Sequence, residues 1–147
     1  FRHMSRVPLK IHTFPSFFSL KKNIEYKKIR VDMKKIIRFA NLDDADDILK
    51  IYEKFIKETV VTFEIEVPSV ESFQNRMKSI MDFYPWLVCE VDGEIAGYAY
   101  ASKHGERAAY RWSSDLSVYI DNKFQRLHIA TDLYDELINL LKKQGIL

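Results

Sequence analysis

"VYIDNKFQRLHIATDLYDEL", Val118 to Leu137, holds the decisive junction of this chain. A β-branched and aromatic run beginning at Asp115 (DLSVYI) reads as a strand and stops at Asp121-Asn122. A basic, glutamine-bearing loop follows, and an amphipathic helix starts at once. Leu133, Leu137, Ile138 and Leu141 mark the inward face of that helix over Ile129 to Lys143, and Gly145 is placed as its C-terminal stop. A helix N-terminus carries unpaired N–H groups and partial positive charge, so a loop feeding it can wrap its amides around a phosphate. Lys123 and Arg126 add charge nearby. From the loop alone, a phosphate site and a turn that binds nothing are both open.

Upstream, two apolar runs, Trp86 to Val91 and Glu94 to Ser102, flank Asp92-Gly93. That residue pair tolerates positive φ and predicts a tight hairpin, with Cys89 as plain core of the first strand. KKIIRFA, Lys34 to Ala40, reads as a strand with Ile36, Ile37 and Phe39 apolar. Asn41 is placed to cap the next helix, whose apolar residues Ala45, Ile48, Leu49, Tyr52, Phe55 and Ile56 fall at helical spacing. VVTFEIE, Val60 to Glu66, alternates and predicts a strand or extended segment. Pro68-Ser69 opens another helix with Val70, Phe73, Met77, Ile80 and Met81 as its stripe. The order β-α-(β)-α-β-β-β-α predicts an α/β or α+β fold, a sheet with helices packed on it.

The chain's 147 residues suit one core, and its 47% apolar and 30% charged residues fit a water-exposed globular domain rather than a membrane span. The single cysteine forbids an internal disulfide and fits a reducing, cytoplasmic setting. The four histidines and Cys89 show no metal-ligand spacing, so no metal is expected. The net charge of +2 divides unevenly: residues 1–35 carry ten Lys/Arg and two acidic residues, and the remainder is net negative. Such an arm fits nucleic-acid binding, a targeting segment or an expression remnant. The first well-patterned strand follows Met33, so residues 1–32 are read as a leader or remnant and 33–147 as the domain.

Gln125-Arg126-Leu127-His128-Ile129-Ala130 lies over the Gln/Arg-x-x-Gly-x-Gly/Ala loop that carries acetyl-CoA in the GNAT acetyltransferases, and the segment resembles it. "TVVTFEIEVPS", "YPWLVCEVDGEIAGYAYAS" and "ERAAYRWSSDLSVYI" look like successive blocks of the phosphinothricin acetyltransferase-like branch, in the right order. Arg107-Ala108-Ala109-Tyr110-x-Trp112 is the most specific of these, and the resemblance runs from about Met33 to Leu147.

The resemblance implies a GNAT-like mixed sheet flanked by helices, with acetyl-CoA as co-substrate held between two splayed parallel strands. Backbone groups of Val118, Tyr119 and Ile120 would pair with the pantetheine arm. Gln125 opens the loop, and amides of Arg126, Leu127, His128, Ile129, Ala130 and Thr131 would cradle the pyrophosphate. A small primary amine, such as an amino acid or a phosphinothricin-like acceptor, would attack the thioester directly. The family's general base is usually a glutamate, and Asp115 stands in its place. By the same resemblance Phe63, Tyr110 and Trp112 line the acceptor pocket, and Arg107 and Arg111 attract an acceptor carboxylate; core packing and surface charge are the plain readings of the same residues.

Two departures stand out. His128 replaces a glycine, whose missing side chain allows unusual φ and close backbone approach, so crowding of the pyrophosphate is expected, the alternative being an outward imidazole that contacts phosphate when protonated. The chain ends soon after the last helix, where the family continues through further strands, so a domain lacking its C-terminal strands is expected, with an open strand edge that invites a homodimer. The alternatives are a catalytically inactive remnant that binds cofactor or protein, and a nucleic-acid binder acting through the basic arm, whose binding would weaken steeply with salt.

Overall fold

The computed structural model describes residues 33–59, 62, 64–105 and 113–146. The basic arm of residues 1–32 lies outside the described residues, as do Phe63, Arg107, Tyr110, Arg111 and Trp112. Strand β1 (Lys35–Phe39) leads through a 3-10 turn (Leu42–Asp44) into helix α1 (Ala45–Glu58). Helix α2 (Val70–Met81), strands β2 (Trp86–Val91), β3 (Glu94–Lys103) and β4 (Ser114–Ile120), and helix α3 (Ile129–Lys143) follow. The sheet runs β1-β2-β3-β4 and is antiparallel throughout these strands. The parallel pairing of a mixed sheet is not among the described strands.

The β2–β3 hairpin turns at Asp92 (φ 52°) and Gly93 (φ 86°), the paired positive φ values that its sequence predicts. Side chains alternate across the sheet. On one face Trp86, Val88 and Tyr98 join a core with Ile48, Ile51 and Tyr52 of α1 and with Phe73 and Met77 of α2. On the other, α3 packs over β2, β3 and β4, burying Ile129, Leu133, Leu137 and Leu141. Ile138, read as inward, is half-buried on the flank of that helix. Phe39 is 60% exposed despite its strand position, because β1 is the sheet edge and little covers its end. Val70 is likewise exposed, at the first turn of α2. Thr62 and Glu64 to Glu66 form no strand, and Ile65 is exposed; Val60, Val61 and Phe63 of that stretch lie outside the described residues. Among the described residues, no helix is long and apolar enough to cross a membrane.

The start of α1 is fixed by reciprocal hydrogen bonds. Asn41 Oδ1 accepts from the N–H groups of Asp43 and Asp44, while Asp44 Oδ2 accepts from Asn41 N at 2.8 Å. Arg38 donates to both oxygens of Asp44 at 2.8 Å and to Glu90 Oε1 at 2.8 Å, tying β1 to the helix start and to β2. The Arg38 hydrogen bonds hold the Asp44 carboxyl below its ordinary range, although burial works the other way. The group therefore stabilises the fold above its unfolded pKa of about 3.9. That stabilisation disappears as falling pH passes the lower folded value. Arg38→Met is expected to cost about 1–3 kcal/mol at neutral pH by leaving Asp44 Oδ1 unpaired and Oδ2 with Asn41 N alone. Urea unfolding should show the wild-type advantage shrinking in acid, and a pH-independent gap would contradict the assignment.

Candidate active site

The junction that closes β4 is built from small, specific interactions. Gly97 of β3 faces Ile120, and a Cβ on it would stand 2.5 Å from Ile120 Cδ1 and 2.9 Å from the Tyr119 carbonyl oxygen. Only glycine lets the end of β4 lie this close. The chain then turns at Asp121, whose N–H donates to Ala96 O at 2.9 Å. The Asp121 carboxylate accepts from Lys54 Nζ at 2.7 Å and from Lys123 N at 3.0 Å. Burial alone would raise its pKa, but Lys54 and the Lys123 N–H outweigh burial and lower it. A 3-10 turn (Asn122–Phe124) seats Phe124 in the core, and Gln125 Nε2 donates to Asn122 Oδ1 at 2.7 Å.

The loop into α3 carries two non-glycine residues in left-handed conformation, Arg126 (φ 66°) and His128 (φ 57°, ψ 20°). His128 occupies the cap position but makes no side-chain cap, and its imidazole is exposed. The first N–H of the helical ladder is Asp132 N, which donates to His128 O at 3.1 Å. The N–H groups of Ile129, Ala130 and Thr131 thus find no acceptor among the described residues, as helix geometry requires of a first turn. Buried Ile129 anchors this turn from below, while Lys35 donates to Leu127 O at 3.4 Å and pairs with Asp132, fixing the loop to β1. The arrangement is a ring of first-turn amides beside the charge of Arg126, chemistry suited to an anion.

β4 pairs with β3 on one side, and its other edge has no strand partner among the described residues. Val118, Tyr119 and Ile120 lie on that edge strand, leading directly into the amide ring. Asp115 stands opposite Ser102 at the other end of β4 and is exposed. It shares a face with Tyr119, since both are even steps apart along the strand. Tyr119 packs edge-on against Tyr52 (5.4 Å) and Phe55 (5.1 Å) of α1 and stacks on Tyr98 (5.0 Å). The Asp115 face is therefore the aromatic one. Half-buried Tyr100 extends this layer, stacked on Trp86 at 4.2 Å. Burial first, and then the nearby Glu64 carboxylate, push the Tyr52 hydroxyl up to about 12, so it stays a neutral donor. Arg76 pairs with Glu64 and lies 5.7 Å from the Phe73 ring, tying the loop before α2 to that helix.

Asp115 also has a partner that residue spacing did not single out. His104 Nδ1 lies 2.6 Å from Asp115 Oδ1. Among the described residues, no group of three His, Cys, Asp or Glu side chains is arranged to hold a metal. Cys89 is fully buried in β2, and burial pushes its thiol up to about 11, so it is inert core, as its strand position implies.

The Acetyltransferase (GNAT) domain model matches residues 37–147, from β1 through α3. The chain belongs to the GNAT acetyltransferases. It is 34% identical over 109 residues to a phosphinothricin N-acetyltransferase of Streptomyces viridochromogenes, covering 74% of this chain and 60% of that protein. A solved GNAT superfamily phosphinothricin acetyltransferase from Sinorhizobium meliloti, in complex with AcCoA, is similar with a TM-score of 0.70 at 30% identity, over 73% of this chain and 59% of that one. An N-acetyltransferase structure from Staphylococcus aureus shares the fold at a TM-score of 0.74 and 24% identity, over 77% of this chain and 69% of the other. The chain spans about 60% of the first of these relatives.

Proposed function

We propose that this protein transfers the acetyl group of acetyl-CoA to a small primary amine, an amino acid or a phosphinothricin-like acceptor, by direct attack. The observation that carries the reading is the loop of residues 125–131, with two left-handed residues and an uncapped helix start at the end of an edge strand. Main-chain groups of Val118 to Ile120 pair with the pantetheine arm as an added strand would. The amides of Arg126 to Thr131 take the pyrophosphate, with the helix dipole behind them. Asp115 receives a proton from the acceptor ammonium, directly or through one water. The freed nitrogen lone pair attacks the thioester carbonyl, the C–N bond forms and the C–S bond breaks, the nitrogen's surplus proton passes to the departing thiolate, and coenzyme A leaves as its thiol. The acceptor role of Phe63, Tyr110 and Trp112 rests on the family resemblance alone. We further assign it to the cytoplasm, which the single buried cysteine supports, and to a homodimer.

Two measurements test this. Unfolding with acetyl-CoA at a hundred times its Kd is expected to show a gain of about 2.7 kcal/mol. Thiol release is expected when L-phosphinothricin is supplied with acetyl-CoA. Stabilisation without thiol release over a panel of amines would turn the assignment into a binding protein on this fold. Neither effect would remove the function altogether.

A further inference from the structure

We infer that His104 is the positioning residue of the general base, holding the Asp115 carboxylate so that one oxygen stays aimed at the acceptor amine. The inference rests on the reading of Asp115 as the base. Its own ground is geometric. His104 follows the end of β3, two residues beyond Ser102, which stands opposite Asp115 in the β3–β4 register. The strand alternation brings both side chains to one side of the sheet. His104 Nδ1 and Asp115 Oδ1 lie 2.6 Å apart, and lone pairs facing each other at that distance repel, so a proton sits between them.

The chemistry asks for such a partner. An aspartate is one methylene shorter than the glutamate that the family resemblance places here, and this one is exposed, with 57% of its side chain open to water. An unconstrained exposed carboxylate rotates, and its reactive oxygen is seldom in line. A hydrogen bond to Oδ1 fixes the carboxylate plane and leaves Oδ2 to accept the proton. An ordinary surface ion pair would contribute little to stability and nothing to turnover. The two roles therefore separate by experiment.

His104→Leu removes the donor, and His104→Asn restores an N–H close to the place of Nδ1. With L-phosphinothricin and acetyl-CoA, His104→Leu is expected to lower kcat by about tenfold to a hundredfold, the scale of a misaimed catalytic group. KM for acetyl-CoA should stay unchanged. His104→Asn should recover most of the rate, and His104→Leu should cost nothing further in an Asp115→Asn background. Wild-type kcat in His104→Leu, or equal losses in the Leu and Asn variants, would overturn the inference. Should the wild type release no thiol, the acetyltransferase reading fails, and the pair is still judged by NMR of the imidazole nitrogens. A protected Nδ1 proton that is lost in Asp115→Ala, which removes the acceptor, supports the positioning contact, and its absence in the wild type overturns it.

Discussion

Asp115→Asn is expected to lower kcat for acetyl transfer by about a hundredfold to ten-thousandfold, the usual contribution of a positioned general base. The substitution keeps the size of the side chain and leaves an oxygen to accept from His104. It removes only the basicity. Because Asp115 sits at the start of β4 and the amide ring lies beyond its other end, acetyl-CoA affinity should be untouched. Loss confined to kcat is the signature of an interaction made in the transition state. Asp115→Glu sharpens the test, since the added methylene supplies the reach of a glutamate at this position. If reach limits the reaction, the Glu variant matches or exceeds the wild type; if the His104 contact matters more than reach, it falls below. Full activity in Asp115→Asn would assign the proton to another group, and stopped-flow thiol release on both variants separates these results.

Local chemistry explains what could be read in advance. Helix α3 lies at Ile129–Lys143, where the leucine spacing and the Gly145 stop put it, because both ends are marked by nearby residues. The Asp92-Gly93 hairpin is legible for the same reason: its two positive φ values need only neighbours one residue away. The site's less visible parts depend on register. His104 and Asp115 are eleven residues apart, and nothing in either flank marks them as partners. They meet only because Ser102 pairs with Asp115, a fact of how β3 and β4 align. Lys35 and Asp132 are still further apart in sequence, and their meeting at the amide loop follows from α3 lying across the sheet. The hairpin register, once drawn, was the available signal for the first pair; nothing comparable marked the second. At residues 60–66 alternation allowed a strand or an extended segment, and Thr62 and Glu64 to Glu66, the described part, carry no strand.

His128→Gly is expected to raise stability by about 1 kcal/mol and to tighten acetyl-CoA binding by about tenfold or more, and the two effects have different origins. The first follows from backbone conformation. His128 holds φ 57° and ψ 20°, a left-handed geometry that costs a side-chain-bearing residue about 1–2 kcal/mol relative to glycine. Part of that gain is returned through the greater freedom of glycine in the unfolded chain. Strain held in the backbone of the loop weighs on the stability of the fold. The change in affinity is assigned to the imidazole itself, which is exposed beside the amides of Ile129 to Thr131. On this prediction the imidazole stands in the space that the proposed pyrophosphate needs, and a crowding penalty of about 1.4 kcal/mol is already tenfold in Kd. Calorimetric titration with acetyl-CoA and urea unfolding of the same variant read the two effects independently. A stability gain with unchanged affinity would mean that the imidazole stands clear of the diphosphate. No stability gain would mean that His128 adopts the left-handed turn without strain, and the replacement of glycine at this place would then be neutral for the fold.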